Sequence, residues 1–284
     1  MRLSDFTAVG RRLDPRYPTN LAIMTLTLVV TIAGTALLLL SGVALLESAQ
    51  WGVGAGFAVF FAWALGRELD PDHDLSAFVG VGLMLVGLLL FGLPSLLTLF
   101  WLLVALRVLG RPVGLPARPL DSLAILSLGG WLTWQGYWIA GLMTAVVCLL
   151  DGLLPRPLRR HLPLSGLALF ATVVLCIFLG DIAMDGSPTA PTVIASVVMT
   201  GLFLVVIATS GKVQAVGDAT GKPLNPRRVQ AAQAFALVTA LLMAWWKGPS
   251  GVVVLTPLWA AMLGVALFRL ASLLLSRRRV VRRR

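Results

Sequence analysis

The sequence contains few charged residues, only 12% of its 284 positions, whereas soluble domains carry about 25%. Hydrophobic residues make up 58%, and no stretch is polar enough to cover the surface of a soluble core. This composition excludes a soluble enzyme or a soluble binding module. It predicts an all-α integral membrane protein in which residues 1–284 form a single multi-pass domain.

Cysteine is nearly absent. Cys148 and Cys176 both lie inside apolar stretches, without the spacing of a thiolate metal site or of a disulfide framework. We therefore expect them to be packing residues. No sequence motif indicates an organic cofactor.

Acidic residues are also scarce, since 12 Asp and Glu stand against 23 Lys and Arg, which gives a formal net charge of +11. Proteins that bind nucleic acid carry such charge along one polar face or one helix. Here the cations stand at the ends of apolar segments, so we expect contact with anionic lipid headgroups and no nucleic acid. All of the cations except Lys247 fall into six clusters, at 2–16, 67, 107–118, 156–160, 212–228 and 269–284.

The spacing of these clusters predicts the topology, because cytoplasmic segments carry the excess of Lys and Arg. The pattern places both termini in the cytoplasm and the protein in the inner (plasma) membrane. The first apolar run is longer than the core of a signal peptide, about 7–15 residues, and is expected to be retained. About ten membrane helices are predicted, at 21–46, 51–66, 77–91, 94–109, 120–134, 137–153, 164–180, 192–210, 229–246 and 252–275.

Two apolar runs, 77–106 and 120–150, are too long for single crossings. Each would extend about 45 Å as one helix, against a hydrocarbon core of about 30 Å. The first contains Pro94 at its midpoint, and the second contains a polar and aromatic cluster at 131–138. We interpret each run as a hairpin of two short helices, which places Arg107, Arg111 and Arg118 on the cytoplasmic side.

The link after the second predicted helix is unusually acidic, with four carboxylates and a histidine in residues 67–74. Oxygen ligands at this density suit Mg²⁺, and a histidine can serve as acid or base near neutral pH. We expect this link to fold towards the bilayer surface, near Arg67 and Arg111, because its like charges need counter-charges. The predicted metal ligands are Glu68, Asp70, Asp72 and Asp74, and the predicted catalytic residues are His73 and Asp74. A turn that caps the next helix is the alternative.

Cations on the same side can bind the phosphate oxygens of a substrate. The predicted substrate-binding residues are Arg67, Arg107, Arg111, Arg118, Lys222, Arg227 and Arg228. Orientation in the membrane is the alternative role for each of them. Asp121 is expected to cap a helix, while Asp181 and Asp185, on the other side, are weaker candidates for ion or proton traffic.

The acidic stretch from Glu68 to Asp74 resembles the first acidic motif of the membrane aromatic prenyltransferases. The resemblance implies Mg²⁺ and a prenyl diphosphate. It covers these residues alone, since the link at 151–161, where that family has a second acidic loop, is basic here.

Three functions are compatible with the sequence. The first is an enzyme, such as a metal-dependent transferase, that acts at the cytoplasmic face on an anionic lipid-linked or prenyl-(di)phosphate substrate. The second is a small transporter of ten helices for an organic or lipid substrate. The third is a structural subunit of a membrane complex, and a homo-oligomer is compatible with all three.

Overall fold

The computed structural model describes residues 7–11, 13–180 and 186–281, with side chains described as far as residue 275. The described residues form helices and no strand. The helices are α1 (Pro18–Leu40), α2 (Leu45–Leu69), α3 (Asp74–Phe91), α4 (Leu96–Gly110), α5 (Pro119–Trp134), α6 (Trp138–Leu153), α7 (His161–Leu179), α8 (Ala190–Thr209), α9 (Pro226–Lys247), α10 (Pro249–Val254) and α11 (Thr256–Val281).

The all-helical class is confirmed, and the helices suit a multi-pass membrane protein. Seven helices in the described part of the chain are long and apolar enough to cross a membrane, namely α1, α2, α3, α7, α8, α9 and α11. Helices α4 and α6 are apolar but shorter. The count of ten crossings and the cytoplasmic position of both termini stay predictions.

Both long apolar runs are broken near the predicted positions. The chain turns at 92–95 between α3 and α4 and at 135–137 between α5 and α6. The N–H of Ser95 donates to the carbonyl of Val254 (3.3 Å), and the ring of Tyr137 packs 6.2 Å from that of Trp246. The two turns therefore lie beside α10 and the end of α9. We call this end of the bundle the aromatic end.

The predicted boundaries were wrong between the first two helices and in the last predicted span. Helix α1 ends at Leu40 and not at 46, and α2 begins at Leu45, so that Glu47 stands in its first turn. A carboxylate is favourable at the positive end of a helix dipole, so Glu47 lies in the first turn of α2 and not between helices. The last predicted span is divided into α10 and α11, because Pro257 stands just inside the start of a new helix.

Helices α2 and α9 form the centre of the bundle. About two thirds of the apolar segment of α2 is buried (67%), and 61% of that of α9. The corresponding values for α1, α7 and α8 are 11%, 17% and 22%, so these helices present apolar side chains outwards. Such an outer surface is what a lipid-facing helix requires.

Glycine allows α3 and α11 to pack at backbone distance. A Cβ atom on Gly264 of α11 would overlap the backbone of Gly80 on α3, and a Cβ on Gly80 would lie 3.0 Å from the Cα of Ala261. Small residues at such crossings are the usual means by which membrane helices approach closely. The α3–α11 contact matters for the site, since α11 carries Arg269 to the acidic link.

We expect Gly264→Ala to destabilise the protein by about 1–3 kcal/mol, because the added methyl group forces α3 and α11 apart. Gly82→Ala on α3 is the matched control, since nothing lies within 4 Å of the added carbon. Chemical unfolding in detergent micelles, followed by tryptophan fluorescence, measures both variants. Equal stability of the two would contradict the close contact.

Candidate functional site

Polar links between helices meet at the end of the bundle opposite the aromatic end, which we call the basic end. They are the acidic link (67–74, of which 70–73 join α2 to α3), the α4–α5 link (111–118), the α6–α7 link (154–160) and the α8–α9 link (210–225). The N-terminal segment is tied to them, because the N–H of Ala8 donates to the carboxylate of Asp121 (2.8 Å). Asp121 also accepts from the N–H of Arg118 (2.7 Å), and so caps α5 from its third helical position.

Glu68 is enclosed by two arginines. Its carboxylate accepts a hydrogen bond from Nε of Arg107 (2.9 Å) and lies 3.6 Å from a guanidinium nitrogen of Arg11. Burial alone would lower the pKa of Arg11, but the carboxylates of Glu68 and Asp218 raise it above its ordinary value. Arg11 is therefore a permanent cation at the basic end.

The other carboxylates of the acidic link have separate partners. Asp70 is buried, accepts from Arg269 (2.8 Å), and lies 3.0 Å from Nδ1 of His73. Asp72 accepts from the backbone N–H groups of residues 214 and 215, at 3.0 and 2.8 Å. Asp74, which is half exposed, lies 3.3 Å from Arg67.

This arrangement bears on the predicted magnesium site. Among the residues that the structure describes, no three His, Cys, Asp or Glu side chains come together in a group that could hold a metal ion. Four carboxylates that diverge to four sets of partners do not form a metal cage supplied by the protein alone. Magnesium binding stays a prediction, and it requires ligands from a substrate.

The expected position of Arg67 beside the acidic link is found, but that of Arg111 is not. The guanidinium of Arg111 instead contacts the α6–α7 link and donates to Oδ1 of Asp151 (2.7 Å). Arg228 donates to the same oxygen (2.7 Å). Asp151 is fully buried at the end of α6, and a buried carboxylate needs a counter-charge. This need explains why Arg111 pairs with Asp151.

Sequence reasoning missed the rest of this cluster. Nδ1 of His161 lies 2.9 Å from Oδ2 of Asp151, and its Nε2 lies 2.7 Å from the hydroxyl of Ser122. The order of serine, histidine and aspartate is that of a hydrolase triad. Ser122 and His161 are buried, however, and line neither cavity described below, so we interpret the chain as a tie between α5, α6 and α7. The only sequence signal for this cluster was the rarity of histidine, which occurs twice in the whole sequence.

Arg111 and Arg156 adopt left-handed backbone conformations, with φ of 52° and 60°. They are the only non-glycine residues of the described chain with positive φ. The carbonyl of Arg156 accepts from Arg111 (2.9 Å) and from Arg228 (3.4 Å), which holds both arginines in place. Strained backbone of this kind concentrates at ligand-binding sites.

The larger cavity at the basic end has a volume of about 810 Å³. Four of the predicted site residues line it, namely Arg67, Glu68, Asp74 and Arg107. The N-terminal segment, the start of α1, Trp63 on α2 and the turn at 216–221 complete its wall. A volume in this range suits a small-molecule site.

A smaller cavity of about 370 Å³ lies on the other side of the α8–α9 link. Three predicted substrate-binding residues line it, namely Arg111, Lys222 and Arg228. Arg118, Arg227, Asp70, Asp72 and His73 line neither cavity, and Arg118 and Arg227 are exposed. Asp181 and Asp185 lie outside the described residues.

The wall between the cavities is made of two links that touch. The N–H groups of Asp218 and Ala219 donate to carbonyls of the α4–α5 link, at 3.2 and 3.1 Å. Gly114 has φ of 85°, and a Cβ on Gly217 would lie 2.8 Å from its Cα, so neither position has room for a side chain. Arg11 also holds the turn at 216–221, because its guanidinium donates hydrogen bonds to both carboxylate oxygens of Asp218, at 2.7 and 3.0 Å.

Comparison with known proteins gives no counterpart for this chain, since no family model matches it and neither a curated protein nor a solved structure resembles it significantly. The resemblance of residues 68–74 to a prenyltransferase motif is therefore confined to those residues. The proposed function depends on the geometry of the basic end.

Removal of the buried carboxylate tests how far the basic end depends on it. We expect Asp151→Ala to cost about 3–5 kcal/mol of stability, because Arg111 and Arg228 then lose their shared counter-charge. Asp218→Asn, at a partly exposed ion pair, is the matched control and is expected to cost about 0–1 kcal/mol. Chemical unfolding in micelles measures both. Similar costs for the two variants would refute a central role for Asp151.

Proposed function

We propose that this protein binds the polar head of an anionic lipid-linked molecule in the larger cavity, from the cytoplasmic side, and acts on it as a metal-dependent transferase. The observation that supports the proposal most strongly is the convergence of Arg67, Glu68, Asp74 and Arg107 on one cavity. Arg67 and Glu68 lie at the end of α2, Asp74 lies at the start of α3, and Arg107 lies near the end of α4. The sequence predicts phosphate binding for Arg67 and Arg107 and metal binding for Glu68 and Asp74.

The position of the cavity favours an amphiphilic ligand. Its wall includes Tyr17, Asn20 and Trp63, at the point where α1 begins. Tyr and Trp are the residues that prefer the membrane interface. Beyond Asn20, Leu21, Leu28 and Ile32 are each more than half exposed on α1. A hydrocarbon tail lying along α1 would place its headgroup in the cavity.

The charges of the cavity fit a headgroup that carries both an anion and a cation. Three arginines and four carboxylates line the cavity, which leaves one net negative charge (3 − 4 = −1); they are Arg11, Arg67 and Arg107, and Asp14, Glu68, Asp74 and Asp218. A bare phosphate would be opposed by this balance. A phosphate with a bound divalent cation complements it, because Mg²⁺ binds to one or two carboxylates together with substrate phosphate.

The four residues have different proposed roles. Arg67 and Arg107 are the proposed phosphate ligands, while Glu68 and Asp74 would hold Mg²⁺ with the headgroup. The guanidinium of Arg67 lies 5.4 Å from the ring of Trp63, which fixes its orientation at the cavity wall. Of the two predicted catalytic residues, Asp74 lines the cavity, whereas His73 packs against Phe268 at 5.5 Å and does not.

Binding of farnesyl diphosphate to the purified protein in nanodiscs tests the substrate class. We expect Arg67→Gln to weaken binding about tenfold or more, because a charge-assisted hydrogen bond contributes about 1.5–3 kcal/mol. Arg159→Gln is the control: it removes the same charge from an exposed position that lines neither cavity. Equal weakening by both variants would reduce the effect to general electrostatic attraction.

A second experiment separates the metal ligands within the acidic link. In the same binding assay, we expect Mg²⁺ to tighten binding to the wild type and Asp74→Asn to remove that gain. Asp72→Asn should retain the gain from Mg²⁺, because this carboxylate accepts hydrogen bonds from the backbone N–H groups of residues 214 and 215. Binding that is the same in Mg²⁺ and in chelator would rule out the metal, and a transporter or a structural subunit would become the better account.

A further inference from the structure

We propose that the smaller cavity is a second anion site, which takes a phosphate monoester group without a metal ion. It goes beyond the proposed function, because it uses different residues and a different charge balance. The sequence assigned Arg111, Lys222 and Arg228 to the same substrate as Arg67 and Arg107, but the structure places the two sets in separate cavities.

The smaller cavity has an excess of positive charge. Four cations line it: Arg111 and Arg228 are buried, and Arg156 and Lys222 are exposed. Among the residues that the structure describes, the carboxylate that forms salt bridges with them is that of Asp151. The balance is three net positive charges (4 − 1 = +3), in contrast to the larger cavity. A phosphate dianion therefore fits here without a divalent cation.

Burial makes this charge excess expensive. Arg111 and Arg228 are 7% and 3% exposed, and both donate to the same oxygen of Asp151. Within the described part of the chain, Nε of Arg111 is buried without a hydrogen-bond partner. Two desolvated guanidinium groups that share one carboxylate are undercompensated, and a further anion supplies the missing counter-charge.

The cavity also has the shape of a binding site. Thr220 and Asn225 bring neutral polar groups to its wall, which also contains both non-glycine residues with left-handed backbone in the described chain, Arg111 and Arg156. Its volume of about 370 Å³ exceeds that of inorganic phosphate, and suits a phosphate ester with a small organic remainder. A lipid headgroup and a soluble metabolite both provide this chemistry.

Calorimetric titration of the purified protein with inorganic phosphate in chelator tests the site. The informative variant is Arg156→Gly combined with Lys222→Gln. Glycine accepts the left-handed backbone of Arg156 and keeps the carbonyl that Arg111 and Arg228 need, so this variant retains the fold. We expect phosphate binding to weaken about tenfold or more.

Two controls each remove one charge from the same end of the protein. Arg227→Gln alters an exposed neighbour of Arg228, and Arg67→Gln alters the larger cavity. Both should change phosphate affinity by no more than about twofold, because neither side chain lines the smaller cavity. Absence of phosphate binding to the wild type, or equal weakening by either control, overturns the proposal. Loss of farnesyl diphosphate binding in Arg67→Gln leaves it intact.

Nanodiscs separate the two sources of the phosphate group. The titration is repeated in nanodiscs of phosphatidylcholine alone and with phosphatidic acid. Competition by phosphatidic acid in the wild type that disappears in the Arg156→Gly, Lys222→Gln variant supports the site with a lipid headgroup as its ligand. Equal phosphate affinity in both nanodiscs, with the same loss in the variant, supports the site with a soluble phosphate ester as its ligand.

Discussion

Asp151 is fully buried at the end of α6 and is the shared partner of Arg111, Arg228 and His161. These residues belong to the α4 terminus, α9 and α7, so one carboxylate fixes four helices at the basic end. A buried carboxylate is tolerated only with such partners. Because Arg111 is held by Asp151, it is unavailable to the acidic link, which obtains its counter-charges from Arg11, Arg67, Arg107 and Arg269 instead. The two cavities follow from this division of the arginines.

The two cavities differ in charge. Under the proposed function, the larger cavity, in which carboxylates outnumber arginines by one, would take a headgroup with a bound cation, whereas the smaller cavity, with its excess of cations, would take a bare phosphate group. The wall between them is the contact of the α4–α5 and α8–α9 links, at Gly114 and Gly217. Val113 and Gly114 are successive residues on opposite sides of this wall.

The coarse fold could be predicted from the sequence because hydropathy and cation spacing respond to the bilayer, which acts on every helix alike. The breaks after Phe91 and Trp134 followed from helix length against membrane thickness. The start of α2 could not be placed this way, since Glu47 reads equally as a link residue or a first-turn residue. Among the candidate site residues, the sequence predicted Arg67, Glu68, Asp74 and Arg107 because charged residues are concentrated at the ends of its apolar segments. It missed the pairing of Asp151 with Arg111 and Arg228 and that of His161 with Ser122, because these partners, 39 to 77 positions apart in sequence, meet only after the helices have packed.

The account rests most heavily on occupation of the larger cavity by a lipid-linked headgroup, and an electron cryomicroscopy density map of the protein in native-lipid nanodiscs tests this directly. The account predicts density beside Arg67 and Arg107 that continues as a tail along the exposed face of α1. Density that instead lies between α2 and α9, away from the basic end, would contradict it and indicate a path through the bundle.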